Sequence, residues 1–241
     1  MRPVSKGASP VKGKFKKYQD AKPDLVDRLG SYCSYCERKI ATLLAVEHID
    51  PKSLTPGLEK KWSNFLLACT NCNSCKGDGP VDLQKLLLPD RDNTFEAYIY
   101  NDDGTIEPSA QLTKGQRTLA LETLNLVGLN KPPEKFLTTN GKAISLDRSG
   151  QRMEAILKAQ NALNNFNMCP VEPMKDMIVN LALETGFFSI WMRIFDTVPE
   201  MKVRFIEAFN GTLRSGCFDI VNGSVVCPAP NPDSLNHGGK V

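Results

Sequence analysis

The chain has 241 residues, 41% of them apolar, with 30 Lys/Arg against 27 Asp/Glu and eight cysteines. That length and apolar content can bury one large or two small cores. No apolar run approaches a transmembrane helix and Met1-Arg2 leads into no signal-peptide apolar region, so the reading is a soluble, cytoplasmic protein with no membrane partner, whose cysteines serve metal binding rather than disulfides.

The basic charge is uneven. Residues 1–30 hold eight Lys/Arg (Arg2, Lys6, Lys12, Lys14, Lys16, Lys17, Lys22 and Arg28) against Asp20, Asp24 and Asp27, leaving the remainder slightly acidic. Residues 1–22 mix Pro, Gly and Lys and predict an extended basic arm, suited to touch phosphates by charge or simply to be solvated. Residues 23–29 predict a short helix with Pro23 in its first turn and Gly30 as its stop, packing Leu25, Val26 and Leu29 against the cysteine-bearing segment beyond it. Next come the Cys33/Cys36 pair, an apolar strand over 41–49 that ends in Glu47-His48, and a polar loop over 50–61. A return strand over 65–68 leads to a second pair, Cys69/Cys72, at the corner into a short helix over 72–76. Residues 23–90 therefore form one module.

Beyond Gly79-Pro80 the character changes to a mainly helical region over 91–228. A hairpin is expected from Phe95 to Glu107 around Asp103-Gly104. Helices are expected over 113–127 (Leu119, Leu124 and Val127 inward), 148–166 (Met153, Ile156, Leu157, Leu163 and Phe166) and 173–184 (Met174, Met177, Ile178 and Leu181). Residues 130–146, with Pro132-Pro133 and Asn140-Gly141, read as loop. The stretch FFSIWMRIF (187–195) is apolar nearly all round, hence central core or a partner-facing helix. A helix over 199–210 and a hairpin over 218–227, with a two-residue Asn222-Gly223 turn, come next. Residues 229–241 read as a disordered tail. The fold class is α+β.

Four thiolates in two Cys-x-x-Cys pairs, Cys33/Cys36 and Cys69/Cys72, match a structural tetrahedral zinc site, and the gap between them is longer than a plain zinc ribbon needs. The inserted residues carry the chemistry. His48, one of two histidines, titrates near neutrality and suits a general base. Glu47 and Asn73 offer oxygen ligands for a hard ion such as Mg2+ or Mn2+, which would polarise a phosphate and stabilise a leaving oxygen. Lys52 and Lys76 are candidates for phosphate contact. Cys75 reads as a buried helix thiol, although spacing alone leaves it open as a ligand. Cys169, Cys217 and Cys227 read as reduced thiols, and His237 as a bystander.

The pieces CSYC, EHIDPKS, NF and CTNCNSCKG, in that order, resemble the HNH endonucleases, the zinc-stapled ββα-metal nucleases. The resemblance implies a metal-dependent endonuclease acting on DNA or RNA (tRNA included). It places Glu47 and Asn73 on the catalytic ion and gives Asn64 the task of bracing the loop so that His48 stays aimed. Glu47 stands where Asp is common, which leaves the metal preference open. Across most of the chain, the N-terminal MRPV, the TLALETLNLVGLN segment and FFSIWMRIF…FNGT are similar to the PtuB family. These are HNH subunits of Septu-type and retron-associated bacterial antiviral systems, and the similarity implies a PtuA-like ATPase partner. The competing readings are a zinc-stapled nucleic-acid-binding module without catalysis and a subunit inert without its partner.

Overall fold

A computed structural model describes residues 1–131, 134–137, 139–141 and 143–241, with backbone alone for 134–137 and 143–146. Helix α1 (Lys22–Leu29) begins with Pro23 in its first turn and ends at Gly30, whose φ of 73° only glycine adopts freely. It packs Leu25 and Leu29 on the hairpin of β1 (Leu44–His48) and β2 (Phe65–Cys69). The two strands are antiparallel, with Glu47 opposite Leu66 and His48 opposite Phe65. Helix α2 (Thr70–Lys76) leaves directly from β2, and the Cys69 sulfur caps it by accepting from the Cys72 N–H. So small a ββα unit has little core of its own. It borrows one from neighbouring segments, including Phe15, Leu86 to Leu88, Tyr98 and Leu124.

Helix α3 (Thr94–Ala97) precedes a short hairpin of β3 (Tyr98–Tyr100) and β4 (Ile106–Pro108). Helix α4 (Lys114–Leu126) starts at a capping box in which Thr113 and Gln116 satisfy each other's backbone N–H. Strands β5 (Glu134–Leu137) and β6 (Ala143–Leu146) pair antiparallel. Helices α5 (Arg148–Met168), α6 (Glu172–Thr185), α7 (Phe188–Ile194) and α8 (Pro199–Ala208) then build a second buried cluster. Its centre is aromatic: Phe188 meets Phe209 and Phe195 meets Phe205 edge to face, while Trp191 stacks on Phe195 and tilts against Phe205. The chain is thus mixed α+β, with small antiparallel sheets beside many helices.

Several expectations need correction. The basic arm is not solvated at its start: Met1, Arg2, Val4, Ser5 and Lys6 are buried. The Lys6 ammonium bonds Asp90 at 2.7 Å and the Phe65 carbonyl at 2.7 Å. Arg2 donates to the Leu29 carbonyl and Thr212 Oγ1 and lies over the Tyr32 and Phe209 rings. These partners make burial of the two cations tolerable. The tail is ordered too. Asp233 accepts from Ser5 and from the Lys6 and Gly7 N–H groups, and the Val241 carbonyl accepts from Asn93 and Ala229.

The predicted loop over 130–146 contains the β5–β6 pair, while its Pro132-Pro133 lies outside the described residues. Residues 95–97, expected as strand, belong to α3 because Asn93 accepts from the Glu96 N–H and caps a turn. The turn of the 218–227 hairpin is longer than the two residues Asn222-Gly223: Phe218 pairs with Val225, and Asp219 and Ser224 bracket it. On α5, Met153 and Leu157 face solvent, and the buried side is Ala155, Ile156, Ala159, Ala162 and Phe166. Small residues let α7 approach closely there. Met177 and Leu181 of α6 are likewise exposed. Helix α7 is core: Phe188, Ile190, Trp191 and Met192 are all buried.

Candidate metal and nuclease site

The four knuckle sulfurs of Cys33, Cys36, Cys69 and Cys72 lie within 4.8 Å of one another, all buried. Zinc–sulfur bonds of about 2.3 Å at tetrahedral angles require sulfurs about 3.8 Å apart. Cys36 and Cys69 stand at 3.8 Å. Contacts with Cys33, Cys36 and Cys72 drive the Cys69 thiol down, while contacts with Cys33, Cys36 and Cys69 push Cys72 up. A dication removes that conflict by taking all four as thiolates. The residues fit a structural zinc. Cys75 is not the buried thiol expected; it is exposed on α2, 3.5 Å from an Arg148 guanidinium nitrogen, outside the four-sulfur cluster.

The zinc ligands frame the adjacent Glu47-His48 pair. Tyr35, between Cys33 and Cys36, and Lys76, at the end of α2, both reach Glu47 from the knuckle side. The Lys76 ammonium lies 3.1 Å from Glu47 Oε1 and donates to the His48 carbonyl at 2.8 Å. Lys76 was expected at phosphates. Instead its side chain is buried and its charge faces Glu47. The pair is a charge contact rather than a directed hydrogen bond, because Glu47 Oε1 has no hydrogen-bond partner in good geometry, and neither does the Tyr35 hydroxyl. Burial pushes the Glu47 carboxyl up, more than Lys76 pulls it down.

His48 is half-buried between two rings, Phe65 at 5.3 Å and Tyr18 at 4.7 Å. Its Nε2 lies 2.9 Å from the Glu59 carbonyl. A carbonyl only accepts, so Nε2 carries the proton and Nδ1 keeps a free lone pair. Burial lowers the His48 pKa from its ordinary value, with the Glu59 contact opposing, which favours the neutral ring at physiological pH. Asn64 ties the loop after His48: its Oδ1 accepts from the Asp50 N–H at 2.8 Å, and its Nδ2 donates to the Asp50 carbonyl at 2.9 Å. Its own carbonyl accepts from the Ile49 N–H at 2.9 Å.

Glu47, His48, Asn73, Lys52 and Lys76 all line one open cleft of about 600 Å³, with Tyr18 and Lys22 on its rim. Asn73 is exposed on α2. The Glu47 carboxylate, faced by Lys76, and the exposed Asn73 amide in the same cleft are oxygen donors of the kind a hard divalent ion takes. Sequence reasoning missed Tyr18, Tyr35 and the Glu59 carbonyl. Only Tyr18 left a sequence signal, an aromatic residue among lysines.

Residues 33–79 match the family model of the HNH endonucleases. No curated protein matches the chain. The HNH module thus joins a zinc-type four-cysteine cluster to a cleft holding a histidine and two oxygen donors. No helix among the described residues is long and apolar enough to cross a membrane.

Proposed function

We propose that the cleft is the active site of a metal-dependent endonuclease that hydrolyses phosphodiester bonds of nucleic acid. The observation that carries this reading is the fixed imidazole of His48. Its Nε2–H is held by the Glu59 carbonyl, and Glu47 and Asn73 line the same cleft. Nδ1 of His48 takes a proton from water; the resulting hydroxide attacks phosphorus, and the P–O3′ bond breaks with the 3′ oxygen leaving as an alkoxide that picks up a proton. Glu47 and Asn73 would hold a Mg2+ or Mn2+ ion, which supplies charge neutralisation at the phosphate and at the leaving oxygen. Zinc at Cys33, Cys36, Cys69 and Cys72 acts only as scaffold, holding α2 and with it Lys76 against Glu47. The exposed lysines of residues 12–22, with Lys52, carry the phosphate contacts in this reading.

The Glu47–Lys76 pair favours a second reading, in which the chain binds nucleic acid but is inert by itself, because Lys76 already neutralises the carboxylate. The PtuB-like segments support placing the chain in the cytoplasm, in an antiviral complex with a PtuA-like ATPase. The test compares wild type with His48→Ala on plasmid DNA and on total RNA, with Mg2+ or Mn2+, with and without co-purifying protein. Cleavage that His48→Ala abolishes supports the nuclease. Cleavage only with the added partner supports the second reading. Cleavage unchanged by His48→Ala removes His48 from the chemistry.

A further inference from the structure

Tyr18 is the only phenylalanine, tyrosine or tryptophan lining the cleft among the described residues. Its position is built. The segment before it is anchored by buried Phe15, stacked on Trp62 at 6.0 Å and packed on Phe65 at the same distance. Tyr18 itself opens a single helical turn capped by Asp20, whose carboxylate accepts from the Lys17 N–H, and α1 continues directly from it. Phe15, Trp62 and Phe65 are buried, but Tyr18 is only half-buried. The Lys52 ammonium stands 4.5 Å from the Tyr18 ring centroid and 3.4 Å from its hydroxyl. Lys17, Lys22 and Lys52 are exposed around it and, among the described residues, none of them pairs with a carboxylate.

We propose that Tyr18 is a stacking platform for the base next to the scissile phosphate, so that the substrate class is nucleic acid with an unpaired nucleotide at the cut. The inference rests on the nuclease reading of the cleft. A partly exposed ring among lysines is the composition with which proteins hold single strands, because every base offers a π-face whatever its sequence. A ring face is a weak partner for an ammonium, and an arriving phosphate is a better one. As Lys52 turns to the phosphate, the ring face it covers opens to the base. In a duplex, base faces are already stacked on their neighbours. A ring whose centroid is 4.7 Å from that of His48 meets a base only where the nucleotide is looped, frayed or turned out.

The test uses the full chain with Ca2+ in place of Mg2+ or Mn2+, so that bound oligonucleotides stay intact. Fluorescence anisotropy compares a perfect duplex with the same duplex carrying one bulged nucleotide or one bulged abasic residue, each made as DNA and as RNA. Backbone charge is the same in the two bulged forms, so only the base differs. Wild type is expected to bind the bulged nucleotide at least about fivefold more tightly than the abasic bulge, the low end of one base–aromatic stack. Tyr18→Leu is expected to erase that preference and Tyr18→Phe to keep it, with zinc content unchanged in both. Equal wild-type affinity for the two bulges overturns the proposal, as does a preference that survives Tyr18→Leu. If Tyr18 only braces His48, cleavage slows in Tyr18→Leu while the bulge preference stays. Wild type that binds none of the six ligands overturns the nuclease reading itself.

Discussion

The HNH module and the helical region from α5 to α8 solve the same problem in opposite ways. The module is short of apolar core and is organised around four sulfurs, with a two-stranded hairpin and a seven-residue helix beside them. The helical region needs no metal: interlocked rings from Phe166 to Phe218 fill its interior. Their surfaces differ as well. On α6 and α8, Lys175 and Arg204 are tied to Glu172, Asp176 and Glu200. By contrast, Lys22 and Lys52 at the cleft and Lys12, Lys14, Lys16 and Lys17 in the segment before it are exposed and, among the described residues, form no ion pair. One surface neutralises its own charge. The other leaves its cations free for an anionic partner.

Removing zinc should break this contrast most severely. Structural zinc binding contributes on the order of 10 kcal/mol to small metal-stapled units. Chelation is expected to abolish hydrogen-exchange protection over residues 32–77 while α5, α7 and α8 stay protected; protection that persists over 32–77 would rule out the zinc-scaffold account. His48→Ala comes next, with cleavage reduced by about 10²- to 10⁴-fold for loss of a general base, read as initial rates with zinc content unchanged.

Lys76→Met leaves Glu47 buried without its counter-charge and is expected to cost about 3–5 kcal/mol in denaturant unfolding. The double change Glu47→Gln with Lys76→Met should recover much of that loss. If Lys76→Met costs no more than a surface lysine, the ion pair is not structural. Smaller again is the contribution of the basic segment. Neutralising Lys12, Lys14, Lys16 and Lys17 to Gln should weaken nucleic-acid binding and flatten its salt dependence by about one unit of slope for each phosphate left without its lysine. Lys175→Gln on α6 should leave both unchanged.

Acid should act through the buried carboxylates Glu37 and Asp90. For Glu37, burial alone pushes upward, but the N-terminal ammonium at 3.1 Å and bonds from Ser189 and Tyr100 hold it below its ordinary 4.5. For Asp90, burial is likewise outweighed by Lys6 and Arg91. A carboxylate with a lowered folded pKa stabilises the fold above its unfolded pKa, and that contribution is lost as pH falls through the folded value. Thermal stability should therefore be flat in these terms above about pH 5 and decline below it. Glu37→Gln and Asp90→Asn should each make the acid decline shallower.

How much could be read from the sequence depends on where each partner lies. Cys33, Cys36, Cys69, Cys72 and Glu47-His48 are legible because metal chemistry fixes their local spacing. The buried start of the chain is not, since residues 1–22 have the composition of a solvated arm. What holds Arg2 and Lys6 inside lies far along the chain, at Thr212, Asn210 and Asp90. The order of the tail is illegible for the same reason, because Asp233 is fixed by Ser5, Lys6 and Gly7 at the other end of the chain. On α5 the apolar stripe pointed to Met153 and Leu157, but close packing against α7 selects the alanine face. Lys76 could be placed near the site but not on Glu47, because only the turn of α2 aims it there.

The most direct test is anomalous diffraction from crystals of the purified chain soaked in Mn2+. The account predicts a zinc signal among Cys33, Cys36, Cys69 and Cys72, and a separate manganese signal in the cleft on Glu47 and Asn73. Manganese absent from the cleft, with Lys76 still on Glu47, would contradict a metal-dependent nuclease centre in this chain.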